Sequence, residues 1–189
     1  MDFYIRSFLL GVGLAMDASA VSMANGLKEP KMKNIKLFFI AGMFGIFQAL
    51  MPLIGYFIGH AFLSYIEIFI PWIALVLLVV IGGKMLIDGI KDEKEDDKAE
   101  DKLSLKVIFL QAIATSIDAL SVGFTIANYT VTEALICALI ICLVTIIICI
   151  CAVFIGKKFG TKLGNKACIL GGIVLIAIGI EIFISGIFF

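Results

Sequence analysis

Residues Phe8–Val21 read F-L-L-G-V-G-L-A-M-D-A-S-A-V, and residues Phe109–Val122 read F-L-Q-A-I-A-T-S-I-D-A-L-S-V. Each is an apolar stretch interrupted by one aspartate, Asp17 or Asp118, and the two align at a constant offset of 101 residues. An aspartate at the centre of a membrane helix costs about 2.5–3.5 kcal/mol on insertion scales. Two of them at equivalent places need compensation, and no lysine or arginine shares their depth in the sequence.

The rest of the chain says that lipid is its solvent. Of 189 residues, 62% are apolar, against about 45–50% in soluble domains. A bilayer core of about 30 Å needs about 20 apolar residues per helix. Six windows qualify: Tyr4–Gly26, Leu37–Gly59, Phe69–Ile90, Leu105–Ala127, Thr132–Gly156 and Ala167–Phe188. None alternates as a barrel strand would, so each is expected to be a helix that satisfies its own backbone. The first window is too long for a cleavable signal peptide and is followed, rather than preceded, by lysines. With 15 basic and 15 acidic residues the formal charge is zero, which excludes the basic footprint of a nucleic-acid binder.

Lysine placement sets the expected orientation. Lys28, Lys31, Lys33 and Lys36 follow the first window. Lys91, Lys94, Lys98, Lys102 and Lys106 follow the third, and Lys157, Lys158, Lys162 and Lys166 follow the fifth. The opposite side offers Arg6 and the single histidine, His60. The odd loops are expected in the cytoplasm and both termini outside.

The third and sixth windows also align, L-L-V-V-I-G-G-K-M-L-I-D-G-I (Leu77–Ile90) with V-L-I-A-I-G-I-E-I-F-I-S-G-I (Val174–Ile187). The expected fold is therefore an all-α integral membrane protein of six transmembrane helices. Residues 1–90 form one three-helix repeat, 91–104 a charged cytoplasmic linker, and 105–189 a second repeat. An odd number of helices per half inverts the second repeat, a device of transporters that bind their substrate near the midplane.

Asp17 and Asp118 each lie about 20 Å along their helices at 1.5 Å per residue, close to the bilayer middle. Two carboxylates supply a charge of −2, and oxygen donors favour Mg, Ca or Mn over soft metals. Thr115 and Ser121, three residues either side of Asp118, share its helix face. Asn25 and Asn128 end the two helices and could guard the mouths, and Gln48 is a further oxygen donor. Helix–helix hydrogen bonding accounts for these neutral groups as readily as liganding. Shared-proton pairing of the two aspartates is the bland alternative to a cation.

Lys84 and Asp88 are four apart and form a structural ion pair by spacing. Glu181 occupies the place of Lys84 in the other half, without a local partner. His60 and Glu67 read as solvated interface groups, and Trp72 with Pro71 as an outer aromatic anchor. Gly42, Gly45, Gly55, Gly59, Gly82, Gly83, Gly171 and Gly172 are expected to let helices approach closely. Cys137, Cys142, Cys149 and Cys151 share one apolar run and read as small helix residues.

The segments M-D-A-S-A-V-S (Met16–Ser22) and A-T-S-I-D-A-L-S-V-G (Ala114–Gly123) closely resemble the MntP (YebN) family of manganese efflux pumps. P-L-I-G-Y (Pro52–Tyr56), W-I-A-L-V-L-L-V-V-I-G-G-K-M (Trp72–Met85) and I-L-G-G-I-V-L-I-A-I-G (Ile169–Gly179) extend the resemblance over nearly the whole chain. It implies export of Mn²⁺ across the bacterial inner membrane with Asp17 and Asp118 required. Cys168 stands where the family usually carries an acidic residue, and Glu181 where an uncharged polar one is common. A secondary transporter is expected, with no cofactor and with protons as counter-ion, because no G-x-x-x-x-G-K-[ST] motif occurs. Export of Cd²⁺ or Zn²⁺, or of an amino acid whose ammonium pairs with the aspartates, is the rival reading. An intramembrane protease is disfavoured by one peripheral histidine and no H-E-x-x-H.

Overall fold

A computed structural model describes residues 2–58, 70–91, 103–126, 128–163 and 165–188. All of the regular structure in them is helical: α1 (Asp2–Lys28), α2 (Asn34–Ile58), α3 (Ile70–Lys91), α4 (Leu105–Ser116), α5 (Ala119–Thr125), α6 (Val131–Leu163) and α7 (Asn165–Phe188). Most of the expected linker, together with His60, Glu67 and Gly59, lies outside the described residues, as do the side chains of Pro71, Asp88 and Cys168.

Three helices among the described residues are long and apolar enough to cross a membrane, over Phe3–Lys28, Asn34–Phe57 and Val131–Thr161. Shorter apolar helices cover Leu78–Ile87, Leu105–Ser116 and Ile169–Glu181. Large apolar side chains lie bare on the outside; Leu9, Val80 and Ile147 are each more than 60% exposed. Only a lipid environment makes such a surface stable, so the chain is a multi-pass membrane protein.

Two windows depart from expectation. The fourth is not one helix: the backbone leaves the helix at Ile117 and Asp118, between α4 and α5. Apolar composition hid this, since neither proline nor glycine marks the position. Three-residue turns bridge the gap, with the Leu120 N–H donating to the Ile117 carbonyl at 3.1 Å and the Ser121 N–H to the Asp118 carbonyl at 3.0 Å. The Asp118 carboxylate accepts the N–H of Ala119, the first residue of α5. The fifth window was read as ending at Gly156, but α6 runs on to Leu163, 33 residues in all. Lys157, Lys158 and Lys162 therefore ride on a helix that outruns the hydrocarbon, at about 1.5 Å per residue.

α1 packs along α6, α3 along α7, and α2 against α6, α4 and α5. Glycines set the closest crossings. Gly82 and Gly172 meet backbone to backbone between α3 and α7, Gly26 and Gly156 between α1 and α6, and Gly55 and Gly123 between α2 and α5. Gly45 lies against Cys142 and Ile146, and Gly171 against Met85 and Ala24. Gly42 and Gly83 face open space, so the packing role expected of them is absent. Trp72 stands edge-on to Phe183, ring centroids 4.7 Å apart.

The buried apolar residues fall into two clusters. One contains Ala18, Val21, Ala24, Phe44, Ile108 and Ala114; the other contains Leu14, Ala119, Ile126, Cys137 and Ile141. Along α1 the change from one to the other falls between Leu14 and Ala18. Along the fourth window it falls between Ala114 and Ala119. Asp17 and Asp118 lie at those two changes.

Candidate metal-transport site

Asp17 and Asp118 are carried on antiparallel chain segments. Asn25 Nδ2 donates to Gln111 Oε1 at 2.8 Å, and Asp17 and Asp118 are near enough to repel electrostatically. Eight residues forward on α1 thus match seven residues back on the α4–α5 segment. Asp17 is half-buried on α1. Asp118 is exposed at the join of α4 and α5. Glu181 of α7 is exposed and contributes a second negative charge felt by Asp17.

Neutral oxygens surround this level. Gln48 is buried on α2 and donates Nε2 to the Leu14 carbonyl, one turn before Asp17; its Oε1 has no partner. Ser116 Oγ, two residues before Asp118, is also buried and unpaired. The Thr115 hydroxyl donates back to the Gln111 carbonyl at 2.9 Å, the local bond that helical threonines favour. Ser19 does the same to Met16. Ser121 is exposed beside Asp118.

Asn128 is exposed in the turn after α5, where Tyr56 donates its hydroxyl to the Tyr129 carbonyl. Lys84 is exposed on α3. Among the described residues no three His, Cys, Asp or Glu side chains gather closely enough to hold a metal. A cation between the aspartates would need neutral oxygens to complete its shell. Cys137, Cys142, Cys149 and Cys151 are unpaired thiols spread along α6. Sequence reasoning missed Gln111 and Ser116. An amide seven residues before a membrane-depth aspartate was the available signal for Gln111.

A largely apolar surface groove of about 610 Å³ runs from near this level toward the start of α1. Leu14 and Val122 line its inner end, within about one helical turn of the aspartates, and Arg6 and Tyr129 its outer end. The opposite end is stapled. Glu29 pairs with Lys36 and accepts the Leu103 N–H at 3.0 Å. Lys157 Nζ donates to the Met32 carbonyl at 2.8 Å.

Comparison with known proteins places this arrangement in a family. The sequence profile described as "Putative manganese efflux pump" matches residues 29–183. The chain belongs to the MntP family. A Ruminiclostridium cellulolyticum protein named "Putative manganese efflux pump MntP" is 45% identical over 181 residues, covering 96% of this chain and 95% of its own. A Clostridium botulinum relative named "Putative manganese efflux pump MntP 2" is 47% identical over 190 residues, covering 96% and 94%. One from Methanospirillum hungatei, also named for manganese efflux, is 42% identical over 185 residues, covering 98% and 95%. No solved structure matches the chain. MntP membership carries manganese transport through a membrane at the level of the family, and a transporter rather than an enzyme.

Proposed function

We propose that this chain exports Mn²⁺ from the cytoplasm by alternating access, with the ion held between Asp17 and Asp118. The observation that carries the reading is that two acidic side chains lie within electrostatic reach of each other where two apolar clusters part, one of them at a helix break. Broken helices at mid-depth are how transporters present backbone and side-chain oxygens to ions. Two carboxylates match the charge of a divalent cation. The free Gln48 Oε1 and Ser116 Oγ supply hard neutral oxygens of the kind manganese accepts.

Six spans arranged as two inverted three-helix repeats, 1–90 and 105–189 about the 91–104 linker, fit the same picture. The antiparallel match of α1 with the α4–α5 segment supports it. So does the packing: exchanging the first three spans with the last three maps α1–α6 onto the α4–α5 segment with α2, and leaves α2–α6 and α3–α7 unchanged. With lysine-rich ends in the cytoplasm, both termini lie outside the cytoplasmic membrane. The stapled end is then the cytoplasmic one, and the 610 Å³ groove lies on the outward side.

In this cycle the cytoplasmic staples open and Mn²⁺ sheds part of its water onto the carboxylates. The repeats then rock, and protons taken up from outside displace the ion. Thr115, Ser121, Asn128 and Glu181 line the route or relay the ion; Lys84 and Asp88 pair structurally. Flux that ignores the pH gradient would remove the proton step. The central test is manganese content in a manganese-sensitive strain expressing wild type, Asp17→Asn or Asp118→Asn. Wild type is expected to lower it and neither variant to do so. If both variants still lower cell manganese, the site is elsewhere.

A further inference from the structure

The buried amides of Asn25 and Gln111 have no place in the two-aspartate site. They lie about 10–12 Å from it along their helices at 1.5 Å per residue, toward the stapled end. Both side chains are fully buried. They share one hydrogen bond, Asn25 Nδ2 to Gln111 Oε1 at 2.8 Å. Asn25 Oδ1 and Gln111 Nε2 are left with no partner. Turning both amides over only exchanges which carbonyl is free. Burial of an amide with half its capacity unused is unfavourable, and apolar residues of similar size would avoid it. The pair stands in the α1–α4 seam, with Ser116 Oγ likewise buried and unpaired farther along α4.

We propose that Asn25 and Gln111 form a neutral way-station for a partly hydrated divalent cation on the cytoplasmic side of the aspartates. This rests on the export reading above. In the stapled conformation the two amides close on each other. When the cytoplasmic end opens, their bond breaks and both carbonyl oxygens turn to the ion or its water. Neutral oxygens replace part of the lost hydration without the net charge that would trap a divalent ion, so the station receives manganese and passes it on. Asp17 and Asp118 remain the tight site.

Everted membrane vesicles, which present the cytoplasmic face outward, test the station with Mn²⁺ itself. Initial uptake is measured against Mn²⁺ concentration for wild type, Gln111→Leu, Asn25→Val and the exchanged pair Asn25→Gln with Gln111→Asn. Each single variant is expected to raise the half-saturating concentration about fivefold with maximal rate kept within about twofold, the signature of lost substrate binding. The exchanged pair is expected to return toward wild type. Gln111→Glu, close to isosteric, is expected to lower the half-saturating concentration and slow turnover. Melting of the purified variants in detergent separates misfolding from lost binding. If the Leu and Val variants do not fold, Gln111→Glu alone decides. Unchanged half-saturation in folded variants, or loss of rate without loss of apparent affinity, would overturn the station. Wild-type vesicles that accumulate no Mn²⁺ would overturn the export reading with it.

Discussion

Gly55 of α2 and Gly123 of α5 lie face to face, so that a β-carbon on Gly123 would stand 2.6 Å from the Gly55 Cα and 2.5 Å from the Pro52 carbonyl oxygen. Backbone cannot step aside as a flexible side chain can. The contact fixes the short helix that follows Asp118, and so fixes the direction in which that carboxylate leaves the chain. Gly123→Ala is expected to destabilise the protein by about 1–3 kcal/mol, the range for overpacking, and to reduce transport by displacing Asp118. Thermal unfolding in detergent alongside manganese uptake checks both. Gly83→Ala, where a β-carbon meets nothing within 4 Å, is the matched control and should leave both unchanged.

On the export reading Asp118 supplies charge for the ion, and its carboxylate also accepts the N–H that opens α5. Asn caps a helix about as well as Asp, whereas Ala loses about 1 kcal/mol. Asp118→Asn should therefore keep its melting temperature and lose transport. Asp118→Ala should lose transport and stability together. Equal melting of the two variants would mean that the cap contributes nothing.

Gly13 lines the 610 Å³ groove beside the start of α1 and has open space where a β-carbon would go. Gly13→Phe should fill that groove, the exit on the export reading, without straining the fold. Manganese export is expected to fall at least about tenfold, a barrier of about 1.4 kcal/mol, while melting stays put. Unimpaired export would show that the ion leaves by another route.

Glu29 holds the first connection to the start of the second half through the Leu103 N–H and Lys36. Hydrogen bonds to charged groups contribute about 1.5–3 kcal/mol, and partial exposure of this pair puts it toward the low end. Glu29→Ala should speed hydrogen exchange at the Leu103 amide by about tenfold, since 1.4 kcal/mol is a factor of ten. Glu29→Gln, which keeps an acceptor, should show a smaller change. No difference between them would place the staple elsewhere.

The aspartates were legible because an acid in an apolar run has few explanations, and their matching surroundings linked them before any coordinates. The break at Asp118 was not legible. Ala114–Leu120 has no proline or glycine to mark a break, and its Thr115, Ser116 and Asp118 can each sit in a continuous helix. The end of α6 was misplaced as well: Lys157 marks where hydrocarbon ends, while the helix continues into water on its own hydrogen bonds. Gln111 was overlooked because a lone amide in a membrane helix has an ordinary explanation in helix pairing. It needed Asn25 opposite it, 86 residues away, to become informative. Gly26, Gly123 and Gly156 were missed because the glycines of a close crossing come from distant parts of the chain.

The helices that carry the two carboxylates are braced from behind rather than by each other. α1 leans chiefly on α6 and α5 on α2, and the direct contact between α1 and the α4–α5 segment is slight. On the proposed reading, with an ion held between Asp17 and Asp118, the gap is a jaw whose hinges lie outside the bite. It would widen or tighten around the ion while the tight glycine seams at α1–α6 and α2–α5 stay intact. Grip on the cargo would then be set by tilting whole braced pairs, with little apolar packing broken to let go.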